Sequence, residues 1–281
     1  MNDICVVIKC LKEKNGVIAQ SIKNANIPVF DFTMYEQFKN YKYIIYFYNK
    51  IPPYFEVKGK TAWWMCDFRK PSELGQEKPK VDFIFICHKT YDKLYRSEYN
   101  TPIYYLPQVG LSELSQSGRS VDWDMLFLGT VNEKKVWHRG REQLISFLSA
   151  NLKFKHISGE KDTIDQSYLY NRTKYNLAIS YPMVCGTSNR LYNILASGGF
   201  CMAKQFPEIE LLFEKGKHLQ WFQEKEEILD MVDFYNKNPL KHEKVKLNGL
   251  KLYLEKHTAE KRMQNALDIM QGKTTQFYGY L

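Results

Sequence analysis

No run in the 281 residues approaches the eighteen or so uncharged apolar positions that a spanning helix needs, so a membrane-spanning protein is not expected. Nor does the start behave as a secretory signal, because Lys9 and Lys12 break the opening apolar stretch. The six cysteines (Cys5, Cys10, Cys66, Cys87, Cys185, Cys201) form no CxxC pair, and no two of the six histidines are spaced as ligands on one helix, which argues against a structural zinc. Most of the cysteines sit inside apolar runs, where a free thiol is a small hydrophobe, so a reducing, cytoplasmic setting is expected. Tandem repeats and low-complexity stretches are also missing. At 44% hydrophobic and 25% charged residues the chain is globular in composition, and its length suits two domains.

Acidic side chains are in deficit, 31 against 40 basic ones, for a net charge of +9. Residues 1–110 hold 16 basic and 11 acidic side chains and the remainder 24 and 20, so the front is more basic per residue. Such an excess favours a polyanionic ligand or partner. Aromatic residues are plentiful, with 20 Tyr and 17 Phe. Core and sheet-edge positions account for most such rings, and stacking on a ligand for fewer.

Short apolar runs alternate with amphipathic segments, a rhythm that predicts an α/β fold of parallel strands joined by helices. In the front part, strands are expected at 4–9, 28–32, 43–48, 62–66, 83–87 and 103–106, and helices at 16–25, 34–41 and 91–99. Several strands are apolar on both faces, as a doubly wound sheet requires. A polar stretch from residue 109, LSELSQSGRS, reads as a linker, placing a domain boundary near residue 118. The alternation then restarts. Strands are expected at 125–128, 154–157, 177–180 and 200–203, with helices at 141–150, 165–174, 189–197, 208–214, 226–236 and 259–270. The reading is therefore two Rossmann-like domains, 1–117 and 118–281, the second ending in a closing helix.

The densest chemistry lies in CGTSNRLYNILASGGFCMAKQFPEIELLFEKG, residues 185–216. Gly186, Thr187 and Ser188 precede a helix whose first turn holds Arg190, placing backbone amides, a capping hydroxyl and a cation together. A capped helix with a solvated arginine is the plainer reading of the same residues. This segment resembles the C-terminal domain of GT-B glycosyltransferases, in the glycosyltransferase group 1 superfamily, and its spore-maturation-protein (CgeB)-like group. The matching residues are Ser188, Arg190, Tyr192 and Asn193, the turn Ser197-Gly198-Gly199-Phe200, and Phe213-Glu214-Lys215-Gly216. Upstream, Phe127-Leu128-Gly129-Thr130 and Arg141 resemble the opening of the same domain, and His257-Thr258 with Arg262 resemble its last helix. The resemblance spans about residues 122–270. In front it is confined to strand rhythm and the element Trp64, Asp67, Arg69.

The resemblance implies two Rossmann-like domains facing each other across a cleft, with a UDP- or GDP-linked sugar on the rear domain and the acceptor on the front one. Carried over by position, Gly129 and Thr130 would let backbone approach the diphosphate. Arg141, Arg139 and Arg190 would neutralise it, and Gly186, Thr187 and Ser188 would meet it at the helix start. His138 is a further phosphate candidate. With cations doing the neutralising, no metal or other cofactor is expected. Many retaining relatives carry two glutamates where this chain has Cys185 and Asn193. Asn193 can still bond a ribose hydroxyl, but Cys185 cannot act as a carboxylate, so neither retention nor inversion is implied.

An inverting transfer needs a base, and Asp67 and His88 are the candidates because each follows a predicted strand at the edge where a doubly wound sheet opens its ligand crevice. A structural carboxylate paired with Arg69 and a satisfied strand-end histidine are the alternatives. Asn15, Gly16, Trp64 and Arg69 are expected on the acceptor side. The basic front suggests duplex DNA bearing a hydroxymethylated pyrimidine as acceptor, with Trp63, Trp64 or Tyr54 as wedge or platform. A cell-surface glycan or protein acceptor and a non-catalytic nucleotide-sugar or nucleic-acid-binding module are the competing readings.

Overall fold

The computed structural model describes residues 3–8, 16–65, 73–74, 77–111, 123–131, 139–158, 163–180 and 186–281. The chain forms two compact units. One comprises residues 1–112 with 259–280, and the other residues 113–258 with the terminal Leu281. The linker read around residue 118 lies outside the described residues.

The front unit is built on six parallel strands, β1 (Ile4–Ile8), β2 (Val29–Asp31), β3 (Tyr43–Tyr48), β4 (Lys60–Met65), β5 (Phe83–Ile86) and β6 (Ile103–Tyr105), in the order β2-β1-β3-β4-β5-β6. Helices α1 (Gly16–Asn24), α2 (Tyr35–Phe38) and α3 (Asp92–Glu98) lie between them in sequence. Position in the sheet explains composition. Central β1, ICVVI, is buried throughout, while edge strand β2, VFD, is only half-buried. A strand covered on both faces has no use for polar side chains, and each fully buried aliphatic contributes about 1.5–3 kcal/mol.

The rear unit carries β7 (Met125–Leu128), α4 (Arg139–Asn151), β8 (Phe154–Ile157), α5 (Thr163–Arg172), β9 (Tyr175–Ala178), α6 (Asn189–Ala196), β10 (Cys201–Lys204), α7 (Ile209–Leu212), β11 (Gln220–Phe222), α8 (Glu227–Lys237) and α9 (Pro239–Leu252). Its five parallel strands run in the order β11-β10-β9-β7-β8. The first strand of this unit therefore has the second on one side and the third on the other, and the connections leave in opposite directions between β7 and β9. That is the switch point where open α/β sheets place ligands.

Three differences from the sequence reading have physical causes. The strand expected at 177–180 begins two residues earlier because buried Asn176 is accommodated inside it, its Nδ2 donating to the carbonyls of Tyr170 (3.0 Å) and Phe200 (3.3 Å). Helix α9 was not expected because only His242, Val245, Gly249 and Leu252 of its fourteen residues are buried, a stripe too thin to read as amphipathic. The last helix, α10 (Ala259–Met270), was expected with the rear domain, whereas it groups with the front unit, where it packs against α1.

Candidate functional site

The carboxyl end of β7 is where the rear-unit candidates meet. Arg190, the second residue of α6, reaches across the switch point: its Nε donates to the Leu128 carbonyl and its Nη1 to the Ile179 carbonyl, both at 2.5 Å. Its guanidinium carbon lies 4.7 Å from the centroid of the Phe127 ring. The last turns of β7 and β9 are thus tied together by one cation. Burial lowers the guanidinium's pKa from its ordinary value, yet an arginine keeps its charge at any pH the fold survives.

Gly129 follows immediately. A Cβ at this position would stand 2.4 Å from Arg190 Nη2 and 2.9 Å from Phe127 Cζ, so any side chain would collide with the cation. The backbone here is held on both sides, with the Gly129 amide donating to Ile157 (3.0 Å) and its carbonyl accepting from His156 Nε2 (2.8 Å). Arg141, in the first turn of α4 and only 7% exposed, donates from Nη1 to the Thr130 carbonyl at 3.2 Å. Gly129, Thr130, Arg141 and Arg190 therefore form one bonded cluster with two positive charges at a strand edge.

Gly186, Thr187 and Ser188 lead into α6 beside Arg190. Gly186 has φ +144°, a conformation open to glycine and costly for other residues. Thr187 is 2% exposed, and among the described residues its hydroxyl has no hydrogen-bond partner. Ser188 occupies the N-cap with extended backbone (φ −117°, ψ 160°), but its side chain makes no capping bond, contrary to the capping role expected of it. Asn193 is buried one turn further on, its Nδ2 donating to Gln166 Oε1 at 3.0 Å, so its amide is directed at α5. Its Oδ1 is buried and has no hydrogen-bond partner among the described residues, which leaves the acceptor atom of the expected ribose contact uncommitted.

Arg139 begins α4, but its side chain, together with His138 and Cys185, lies outside the described residues. In the front unit, Asn15, Asp67 and Arg69 also lie outside them, and Gly16 is the first residue of α1. His88 follows β5 and is buried, at the start of a short 3₁₀ turn over Lys89–Tyr91. Trp64 corrects the acceptor-side reading. It is fully buried in β4, its indole donates to the Leu106 carbonyl at 2.8 Å, and its ring meets Phe47 edge-on at 5.0 Å. Trp63 is equally buried, its indole donating to the Tyr48 carbonyl at 2.9 Å, so neither tryptophan is available as a wedge or platform.

Three participants escaped the sequence. The Leu128 and Ile179 carbonyls have no side-chain signature at all, and His156 was read only as part of a strand. The chain contains one Asp-x-Asp triplet, Asp122-Trp123-Asp124, a spacing suited to holding a nucleotide-bound cation. Asp124 precedes β7 at the amino end, opposite the Gly129 cluster, and its Oδ2 accepts from the Lys153 amide at 3.2 Å; Asp122 lies outside the described residues. Among the described residues no group of three His, Cys, Asp or Glu side chains could hold a metal ion, and no helix is long and apolar enough to cross a membrane.

Residues 136–268 match the family model described as "Glycosyl transferase-like". Among curated proteins, none matches this chain. Among solved structures, Anabaena HepE, crystallised with UDP-glucose, superimposes with a TM-score of 0.67 at 8% identity, covering 96% of this chain and 99% of HepE. The pneumococcal O-GlcNAc transferase GtfA, solved with UDP and GlcNAc, gives 0.53 at 9% identity over 85% of this chain and 59% of GtfA. An α1,3-fucosyltransferase solved with GDP gives 0.51 at 8% identity over 98% of this chain and 92% of that one. The chain thus has the GT-B fold of these solved structures, and its residues 136–268, just under half of its length, are similar to the glycosyl transferase-like family.

Proposed function

We propose that the protein transfers a sugar from a UDP- or GDP-linked donor to an acceptor hydroxyl, with the donor diphosphate at the carboxyl end of β7. The observation that carries this reading is the Gly129–Arg190 contact. A cation is fixed between two strand carbonyls, with Nη2 lying against the one residue type that leaves its approach open. Arg190 Nη2 and the Arg141 guanidinium meet the diphosphate charge that grows as the anomeric C–O bond breaks, and the nucleoside diphosphate leaves with that electron pair. The Thr187 hydroxyl and the amides opening α6 complete the anion site. Two relatives of this fold were solved with UDP or UDP-glucose and one with GDP, which supports a nucleoside diphosphate without choosing the base.

The acceptor hydroxyl attacks the anomeric carbon and loses its proton. In an inverting reaction that proton goes to Asp67 or His88, each following a front-sheet strand. The DNA acceptor inferred from the basic front loses two of its three wedge or platform candidates, because Trp63 and Trp64 are core residues and only Tyr54 is exposed. A front-unit acceptor of smaller size is the better reading.

Calorimetric titration of UDP and GDP tests the donor assignment. The wild-type protein binds one of them, and Gly129→Ala, whose new Cβ displaces Arg190 Nη2, weakens that binding at least tenfold. Unchanged affinity in the variant removes the diphosphate from this strand end.

A further inference from the structure

A cavity of about 720 Å³ lies within the front unit, lined only by residues of that unit. One side is formed by Phe32, which follows β2, and Tyr48, which ends β3; the rings meet edge-on with centroids 5.2 Å apart. The other side is formed by two connections, residues 50–54 after β3 and residues 77–80 before β5. Pro52, Pro53 and Pro79 lie in these connections, and their fixed φ angles restrict the conformations open to the walls.

The charged groups around it are not equivalent. Lys78 is already engaged, its Nζ donating to the Glu98 carbonyl at 2.5 Å. Lys50 and Lys80 are exposed, and among the described residues neither has a carboxylate partner. Lys80 Nζ stands 5.1 Å from the centroid of Tyr54, whose ring is 65% exposed at the cavity wall. Glu77 is the one acidic residue on the lining. The cavity thus offers aromatic surface beside two ammonium groups that have no carboxylate partner among the described residues, in a volume typical of small-molecule sites. Affinity for a nucleic-acid backbone grows with the number of phosphates neutralised, and two lysines neutralise few.

We propose that this cavity binds an anionic saccharide, a sugar carrying a carboxylate or a phosphate, with Lys50 and Lys80 on the anion and the aromatic side chains against the ring. Resting on the transferase reading above, this names the chemical class of the acceptor.

Calorimetry with three probes tests it: a glucuronate-containing trisaccharide, a neutral trisaccharide of the same linkages, and a hexose phosphate. At least one anionic probe binds ten times or more tighter than the neutral one, and whether carboxylate or phosphate prevails identifies the source of the charge. The double variant Lys50→Ala/Lys80→Ala, checked for fold by circular dichroism, abolishes that preference, while Tyr54→Ala weakens anionic and neutral probes alike. Equal affinity for charged and neutral probes, or an unaffected double variant, overturns the proposal. So does a short DNA duplex that outcompetes the saccharides and loses binding in the double variant. UDP and GDP titrated in the same series separate the two readings. Absent binding of both with intact anion preference defeats the donor assignment alone, and binding of either without anion preference defeats this proposal alone.

Discussion

Arg190 is both a structural and a candidate binding residue, and the two roles divide by nitrogen. Nε and Nη1 are committed to the Leu128 and Ile179 carbonyls, at about 1.5–3 kcal/mol for each bond to a charged group, so its removal loosens the switch point as well as the proposed donor site. A substitution there cannot separate the roles. Thr187 can, because its buried hydroxyl has no partner among the described residues. Leaving such a group unsatisfied costs about 1–3 kcal/mol, and a phosphate oxygen accepting from it would offset the cost. Thr187→Val is therefore expected to raise stability to urea by about 1 kcal/mol and to weaken UDP binding about fivefold or more. A variant that is less stable and binds UDP normally would assign the hydroxyl a purely structural role. At this scale the sequence was informative about identity and poor about partners. Arg190, Gly129 and Arg141 stand out through motif spacing, but strand-end carbonyls leave no trace in a sequence, and a tryptophan reads alike as platform or core until its burial is known.

At the scale of elements, the strands were legible because central positions in a parallel sheet demand unbroken apolar runs such as ICVVI and MLFL. Elements held by sparse or polar contacts were not. Strand β11, QWF, and helix α9 fall in this group, and a buried histidine lies just before the first and within the second. His242 in α9 donates from Nε2 to the Lys174 carbonyl (2.9 Å) and stacks on Phe200 with centroids 4.6 Å apart. His218, just before β11, accepts at Nδ1 from the Glu214 amide (3.1 Å). Burial lowers the pKa of both below the ordinary 6.5. The unfolded chain then binds more protons than the folded one just below that value, so stability is complete above about pH 6.5 and falls as the pH drops through it, by at most about 1.4 kcal/mol per pH unit for each histidine. Urea midpoints measured from pH 7.5 to 5 should decline, with a shallower decline in His218→Gln. Equal slopes in the two proteins would mean that His218 does not carry the effect.

For the whole molecule, the two-unit plan was readable from length and from the restart of the strand rhythm, but membership of the last helix was not. Helix α10 is amphipathic wherever it docks, and only the tertiary structure shows it against α1, with the Met270 carbonyl accepting from Lys60 Nζ at 3.2 Å. Within the rear unit, the strand order places the switch point between β7 and β9, and the residues recognised by spacing converge there. The net charge of +9 acquires local content as well. Two arginines stand at the rear strand edge, and two lysines flank the front cavity. The proposed place of the nucleoside diphosphate, at the carboxyl end of the rear strands, is tested most directly by hydrogen exchange of the intact protein with and without UDP. Slowed exchange is expected in peptides covering residues 128–131 and 186–191, with no comparable change around residues 50–54. UDP binding that leaves both rear segments exchanging at their unliganded rate would contradict it.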